Sequence, residues 1–170
     1  MTAFSTRDVS TAVVNASRDD IWALVSHPAT LAELTPLIDS IEQSGELWTW
    51  QLRGISALGV SIAPSFTERM HLVEPESIEF AHDPPSNELA GANGTYRLTE
   101  IDASTTELHI DITLCADLPL PGLTRKAVEK VMATMMRRTG DAFAANLYQR
   151  LGITGAERIE HHSHPSARST

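Results

Sequence analysis

The sequence predicts a single α+β domain in which an antiparallel sheet packs against one long C-terminal helix. In residues 107–116, apolar and polar side chains alternate, as in a strand with one buried and one solvated face. In residues 124–151, apolar side chains recur at helical spacing and no proline interrupts them. Two short helical segments directly after the first strand complete the pattern. Together these observations predict the fold class.

The first third of the chain predicts a strand followed by two short helices. The strand covers residues 7–15, and Ser17 is a candidate N-cap whose hydroxyl can accept from the backbone N–H of Asp20. Pro28 ends the first helix because the residue before a proline avoids the helical region. Pro28 also suits the first turn of the second helix, predicted over residues 29–34. Strands then follow over residues 37–43, 47–54, 60–73, 77–82, 94–101 and 107–116.

Composition and charge limit the partners. The 170-residue chain carries 13 basic and 22 acidic residues, a net charge of -9. Because phosphate backbones attract positive potential, this balance disfavours nucleic acid as a partner. The N-terminus lacks the cationic start and apolar run of a secretion signal, and no segment approaches the roughly 18 apolar residues that span a bilayer. We therefore expect a cytoplasmic protein without stable membrane insertion; its oligomeric state is not defined by these patterns.

The domain is expected to comprise residues 1–152, with Gly152 as the C-cap of the long helix. Residues 153–170 show no periodicity and are expected to form an irregular tail. Cys115 is the single cysteine, which excludes an internal disulfide, and no Cys/His grouping within the domain has zinc-ligand spacing. We predict neither a metal nor a cofactor. The tail histidines are not interpreted as a metal site: His161, His162 and His164.

Two segments carry a resemblance to a known family. They are residues 13–38, VVNASRDDIWALVSHPATLAELTPLI, and residues 140–152, GDAFAANLYQRLG. With the order of elements, they make the chain similar to the START-like (SRPBCC) helix-grip superfamily, near its polyketide cyclase/dehydrase and lipid-transport branch. The resemblance implies a curved antiparallel sheet of about seven strands around the C-terminal helix, with a cavity between them. Family members include carriers, cyclases, oxygenase subunits and co-chaperone-like modules, so the fold alone does not define the function.

The wall of such a cavity can be predicted from the inward faces of the strands and the apolar stripe of the helix. Methionines in that stripe are flexible and suit an adaptable apolar wall, although they equally suit a packed core. Thr139 and Asn146 lie on or beside the stripe, where they could bond a polar end of a ligand. The predicted cavity residues are Trp48, Trp50, Phe66, Glu68, Met70, Phe80, Tyr96, Leu98, Ile110, Ile112, Met132, Met135, Thr139 and Asn146.

Three polar residues are the candidates for chemistry. Glu68 falls in register with the apolar residues of the strand at 60–73, so it is predicted to face inward, where burial raises a carboxyl pKa. A bulge at Pro64 would instead turn Glu68 toward water. His82 and Tyr96 also fall on inward faces. The three could orient a carbonyl or hydroxyl group or act as acid and base; a solvated histidine and a core tyrosine are the alternatives.

The function predicted from these features is the binding or carrying of a small apolar ligand, such as a lipid, a polyketide or an aromatic metabolite. One alternative is a polyketide cyclase/dehydratase-type enzyme that uses the inward acid or base. A second is a protein-interaction module without a ligand, which would have a filled core and an exposed apolar patch. Two loops are candidate mouths of the cavity, residues 56–59 and 118–122, through Leu58, Leu118 and Leu120.

Overall fold

A computed structural model describes residues 1–57, 59–154 and 157–164 of the chain. Leu58, a predicted mouth residue, lies outside the described residues. In chain order the elements are β1 (Thr2–Val14), α1 (Arg18–Val25), α2 (Pro28–Leu34), β2 (Ile38–Ser44), β3 (Leu47–Leu52), β4 (Ile55–Ala57), β5 (Val60–Ile62), β6 (Ser65–Val73), β7 (Ser77–His82), β8 (Ala90–Asp102), β9 (Thr105–Leu118), α3 (Arg125–Leu151) and β10 (Glu157–His164).

The described strands form one curved antiparallel sheet of eight, in the order β10-β1-β9-β8-β7-β6-β3-β2, and a separate β4-β5 pair. The long strands β1, β8 and β9 pair along most of their lengths. The helix α3 lies along the concave face, with α1 and α2 at one end. This confirms the predicted α+β helix-grip arrangement, including the two short helices after β1.

The local helix signals are confirmed. The Ser17 hydroxyl accepts from the backbone N–H of Asp20 at 3.2 Å and caps α1. Pro28 is the first residue of α2. Gly152 ends α3 in the left-handed region, with φ of 69°, and its N–H bonds to the last turn. The Ser17 cap thus sets where α1 begins, and Gly152 sets where α3 ends.

Three parts of the sheet differ from the sequence-based expectation. The strand predicted over 60–73 is divided into β5 and β6, because Pro64 has no N–H for a ladder; its carbonyl instead accepts from the N–H of Leu52 at 3.0 Å. The strand β8 begins at Ala90 instead of residue 94. The strand β10 lies where an irregular tail was expected, and its backbone pairs with the outer edge of β1. Within the described residues, no helix combines the length and apolar character that a bilayer span needs.

The core divides along the length of α3. Toward its end, Phe143 and Leu147 pack with α1 and with sheet residues such as Trp48 and Leu98. Toward its start, Val128 and Met132 pack on Phe4 in a smaller cluster. Within α3, all of which the structure describes, no residue between Met132 and Phe143 is fully buried. The middle of the helix is therefore separated from the sheet by space.

Candidate functional site

A cavity of about 410 Å³ fills the gap between the middle of α3 and the concave face of the sheet. The helix contributes Met136, Thr139 and Gly140 from the segment that neither core cluster covers. A Cβ built at Gly140 would meet no atom of the described residues within 4 Å, so the helix surface is recessed there. The cavity thus follows from the division of the core, with packed ends and an unfilled centre.

The sheet side of the cavity is an apolar and largely aromatic wall. The rings of Trp50 and Phe66 stack with centroids 6.3 Å apart and planes 16° apart. Phe80 meets Tyr96 edge to face, with centroids 5.9 Å apart. Such flat surfaces bury much apolar area with little loss of side-chain entropy, which suits contact with a planar or chain-like apolar ligand. The remaining apolar wall residues of the sheet are Ala12, Ile38, Leu52, Met70, Ile78, Ala92, Leu108, Ile110, Ile112 and Leu114.

Gly94 makes this wall possible, because the backbone of β8 lies close to the ring of Phe80 at this position. Gly94 of β8 pairs with Phe80 on one side and with Ile112 on the other. A Cβ at this position would lie 2.1 Å from the carbonyl oxygen of Asp111 and 2.7 Å from Cζ of Phe80. Both distances are too short for any side chain. Glycine therefore allows the Phe80 ring to lie flat against β8.

Glu68 is the most deeply buried acid described, with an exposed fraction of 1%. Because the break at Pro64 precedes β6, the alternation within β6 is intact and places Glu68 on the cavity face with Phe66 and Met70. Burial raises the pKa of the Glu68 carboxyl well above its usual range, and a hydrogen bond from the Trp50 indole N–H, the smaller influence, lowers it. The carboxyl group is therefore neutral over the acidic range in which an exposed glutamate ionises.

Oε2 of Glu68 and Nε1 of Trp50 are both buried and make no hydrogen bond of good geometry among the described residues, although the indole N–H lies close enough to the carboxyl group to lower its pKa. Tyr96 lies nearby, since its pKa is raised first by burial and second by the charge on Glu68. We call Trp50, Glu68 and Tyr96 the inner polar cluster. They supply hydrogen-bonding groups within an otherwise apolar wall.

His82 does not join this cluster, although its strand register predicted that it would face inward. Pairing between β7 and β8 ends at Phe80, and beyond that point the ring of His82 bonds through Nε2 to Oε2 of Glu88 at 3.0 Å. The same Glu88 carboxylate accepts from the backbone N–H and the hydroxyl of Thr67, at 2.7 and 2.9 Å. His82 therefore helps to fasten the loop between β7 and β8.

The structure divides the other predicted cavity residues into two groups. Trp48 and Leu98 belong to the packed core at one end of α3, and Met132 belongs to the cluster at the other end. The Asn146 amide donates to the carbonyl of Leu34 at 3.0 Å. Met135 is half-buried outside the cavity wall. The predicted residues that do line the cavity are Trp50, Phe66, Glu68, Met70, Phe80, Tyr96, Ile110, Ile112 and Thr139.

Among the described residues, the cavity reaches the surface beside β1. Asp141 and Ala145 of α3 are exposed and line it, opposite Asp8 and Ser10 of β1. Leu118 and Leu120, which were predicted to form a mouth, instead pack on the Phe4 cluster. Sequence reasoning missed this polar rim, because the small and polar residues of β1 give no periodic signal.

The sequence of residues 6–152 matches the family model described as "Polyketide cyclase / dehydrase and lipid transport". The chain belongs to this family. Among curated proteins, none matches the sequence significantly.

Solved structures share the fold of this chain at low sequence identity. The Zhui aromatase/cyclase from Streptomyces sp. R1128 superposes with a TM-score of 0.65 at 14% identity, over 87% of this chain and 94% of that one. A START superfamily protein from Mycobacterium smegmatis superposes with a TM-score of 0.63 at 17% identity, over 86% of this chain and 97% of that one. At these identities the likeness concerns the fold alone.

Proposed function

We propose that the protein binds a small, mainly apolar ligand in the cavity between the sheet and α3. The observation that carries this proposal is the cavity itself, about 410 Å³ in volume and walled by aromatic and aliphatic side chains. This volume lies within the roughly 300–1,000 Å³ typical of small-molecule sites. Met70 and Met136 add adaptable surfaces to the wall. The family to which the chain belongs supports the same ligand class.

Catalysis of the cyclase or dehydratase type is the second candidate. The inner polar cluster favours it, because a carboxyl group that keeps its proton inside an apolar cavity is a typical general acid. Binding requires only the cavity, whereas catalysis also requires suitably placed acid and base groups. His82, a predicted member of the cluster, is instead bonded to Glu88. We therefore place binding first. Turnover of a bound polyketide-like substrate would reverse this order.

The interaction-module alternative would require a filled core and a continuous exposed apolar patch. The cavity opposes the first requirement. The large apolar residues that are exposed among the described residues oppose the second, because apart from the adjacent Leu72 and Val73 of β6 each lies in a different part of the chain. They are Met1, Leu72, Val73, Leu89, Ile101 and Leu123.

A substitution series at Gly140 tests ligand binding without endangering the fold. A leucine at position 140 would project from the recessed face of α3 into the cavity and occupy ligand volume. Gly140→Ala is the matched control, because it adds one methyl group and shares the gain in helix propensity of about 1 kcal/mol over glycine. The probe is N-phenyl-1-naphthylamine, a neutral dye whose fluorescence rises in an apolar site.

We expect saturable dye binding by the wild-type protein and by Gly140→Ala, and at least about ten-fold weaker binding by Gly140→Leu, a loss of roughly 1.4 kcal/mol. All three proteins should show the same circular dichroism, since the helix is not weakened. Equal binding by the alanine and leucine variants would place the dye elsewhere and contradict the proposal. Failure of the wild-type protein to bind would do the same.

A further inference from the structure

The first half of α3 carries a concentration of positive charge in an otherwise acidic chain. Residues 119–140 contain five basic residues and one acid, whereas the whole chain has a net charge of -9. Both lysines of the sequence, Lys126 and Lys130, lie in this segment, and Arg137 and Arg138 follow them. All four side chains are exposed, and the spacing of the first three places them on one face of the helix. We call these four residues the basic stripe.

The basic stripe is unfavourable for the helix that carries it. Among the described residues, none of its side chains forms an ion pair. Lys126 lies in the first turn of α3, which contains no acid, although the helix dipole favours negative charge there. Lys126 and Lys130 are like charges one turn apart, which weakens a helix. Local rules that are broken without compensation inside the chain indicate that a negatively charged partner supplies it.

A protruding apolar residue lies directly before the basic stripe. Leu123 has an exposed fraction of 99%, the highest among the large apolar residues described. The chain is fixed on both sides of it. Leu120 packs on the cluster around Phe4, and the Arg125 guanidinium donates to the carbonyl of Ala3 at 2.9 Å. Leu123 is therefore held in solvent by an anchored turn.

An exposed leucine beside a row of cations fits the surface of an anionic membrane. The anionic headgroups of a bilayer attract basic side chains, and the acyl boundary beneath them accepts an apolar side chain. A nucleic acid or another soluble polyanion would pair with the cations but would offer no apolar layer to Leu123. Charges are screened beyond about 8 Å at physiological ionic strength, so the basic stripe acts locally despite the acidic residues elsewhere on the protein.

We propose that the basic stripe and Leu123 dock the protein reversibly on membranes that contain anionic lipid. The basic side chains contact the headgroups, Leu123 enters the interface, and the domain stays folded outside the bilayer. None of these five residues lines the cavity, so this inference goes beyond the proposed function and does not depend on it.

Co-sedimentation with two kinds of vesicle tests the proposal. One kind contains phosphatidylcholine alone, and the other is a mixture of phosphatidylcholine and phosphatidylserine. We expect the wild-type protein to bind the mixed vesicles at least about ten-fold more tightly than the neutral ones, and high salt to release it. Lys130→Gln should weaken binding to the mixed vesicles about five-fold, the contribution of one basic residue near an anionic surface. Leu123→Ser should weaken it by a similar factor or more, because the leucine side chain no longer enters the apolar layer.

Arg97→Gln is the matched control for charge. It also removes one positive charge from an exposed position, but Arg97 lies on the convex face of the sheet, since its neighbours Tyr96 and Leu98 face the core. Binding to the mixed vesicles should stay within about two-fold of the wild type. The three substituted side chains are exposed, so all variants should keep the urea midpoint of the wild type and its binding of N-phenyl-1-naphthylamine.

The outcomes separate this inference from the proposed function. A wild-type protein that ignores the mixed vesicles, or binds both kinds equally, would overturn the docking surface and leave dye binding intact. Equal weakening by Lys130→Gln and Arg97→Gln would assign the effect to net charge and overturn it as well. Weaker binding in Lys130→Gln with full binding in Leu123→Ser would assign the basic stripe to a soluble polyanion instead of a membrane. Vesicle binding by a protein that binds no dye would contradict the proposed function alone.

Discussion

The buried carboxyl of Glu68 makes the stability of the protein depend on pH in a direction opposite to that of most acids. Its native pKa is raised well above 4.5 by burial, whereas in the unfolded chain the group returns to about that value. Between the two pKa values the native state holds a proton that the unfolded state has lost. Stability therefore falls as pH rises through this window. Below the unfolded-state pKa both states are protonated and the effect disappears.

Glu68→Gln isolates this contribution, because glutamine has the same shape and does not titrate. For a single proton the slope is about 1.4 kcal/mol per pH unit. The free energy of unfolding of the variant minus that of the wild type should therefore increase by about this amount for each pH unit within the window. Other titratable groups line the cavity, namely Asp8, Tyr96, Asp141 and Tyr148, but both proteins contain them and their effects largely cancel in the difference.

The assay is urea denaturation of both proteins at 25 °C, at intervals of one unit upward from about pH 5. Equal urea m-values would show that the same cooperative transition is compared. Parallel pH profiles for the two proteins would refute the reasoning, since they would mean that Glu68 titrates alike in the folded and unfolded states. A wild-type protein that gains stability over Glu68→Gln as pH rises would reverse the sign and refute it more strongly.

Three further substitutions test how the fold positions the site, each by urea denaturation against the wild type. Ser17→Ala removes the cap of α1 and should cost about 1 kcal/mol; an unchanged midpoint would mean that the cap is dispensable. Gly94→Ala places a methyl group against the carbonyl of Asp111 and should cost about 3 kcal/mol or more; a neutral result would contradict the close approach of β8 to β9. Glu88→Ala leaves the buried N–H of Thr67 without its acceptor and should cost about 2 kcal/mol; wild-type stability would show that the loop fastening is not needed.

Much of the fold follows from local signals that tertiary contacts reinforce. The alternation in β9 and the Ser17 cap are both preserved, because each satisfies local hydrogen bonds and also buries the correct face. The start of β8 escaped prediction, since its residues Ala90 to Gly94 are small and have weak strand propensity. The absence of a side chain at Gly94, for example, leaves room for the ring of Phe80. The strand β10 has no apolar periodicity and is recognisable only through its pairing with β1.

The site was less predictable than the fold. The sequence pattern indicates which side chains face inward, but it does not indicate whether an inward side chain packs in the core or lines the cavity. The apolar stripe of α3 was clear, but Met132 packs against Phe4 whereas Met136, one turn later, lines the cavity. The two methionines differ because the curved sheet diverges from α3 between them. The spacing of apolar residues in the sequence does not reveal where this divergence begins. His82 shows a second limit: its side chain lies beyond the last residue pair between β7 and β8 and bonds to Glu88.

The central claim, that the cavity holds a small apolar molecule, is tested most directly by native mass spectrometry of the purified protein. Wild-type protein and Gly140→Leu would be prepared in the same host and measured before and after incubation with excess fluorene. We predict a one-to-one complex of the wild-type protein with a co-purified ligand or with fluorene, strongly reduced in Gly140→Leu. The mass of the protein alone in every wild-type sample, or equal complex formation by both proteins, would contradict the account.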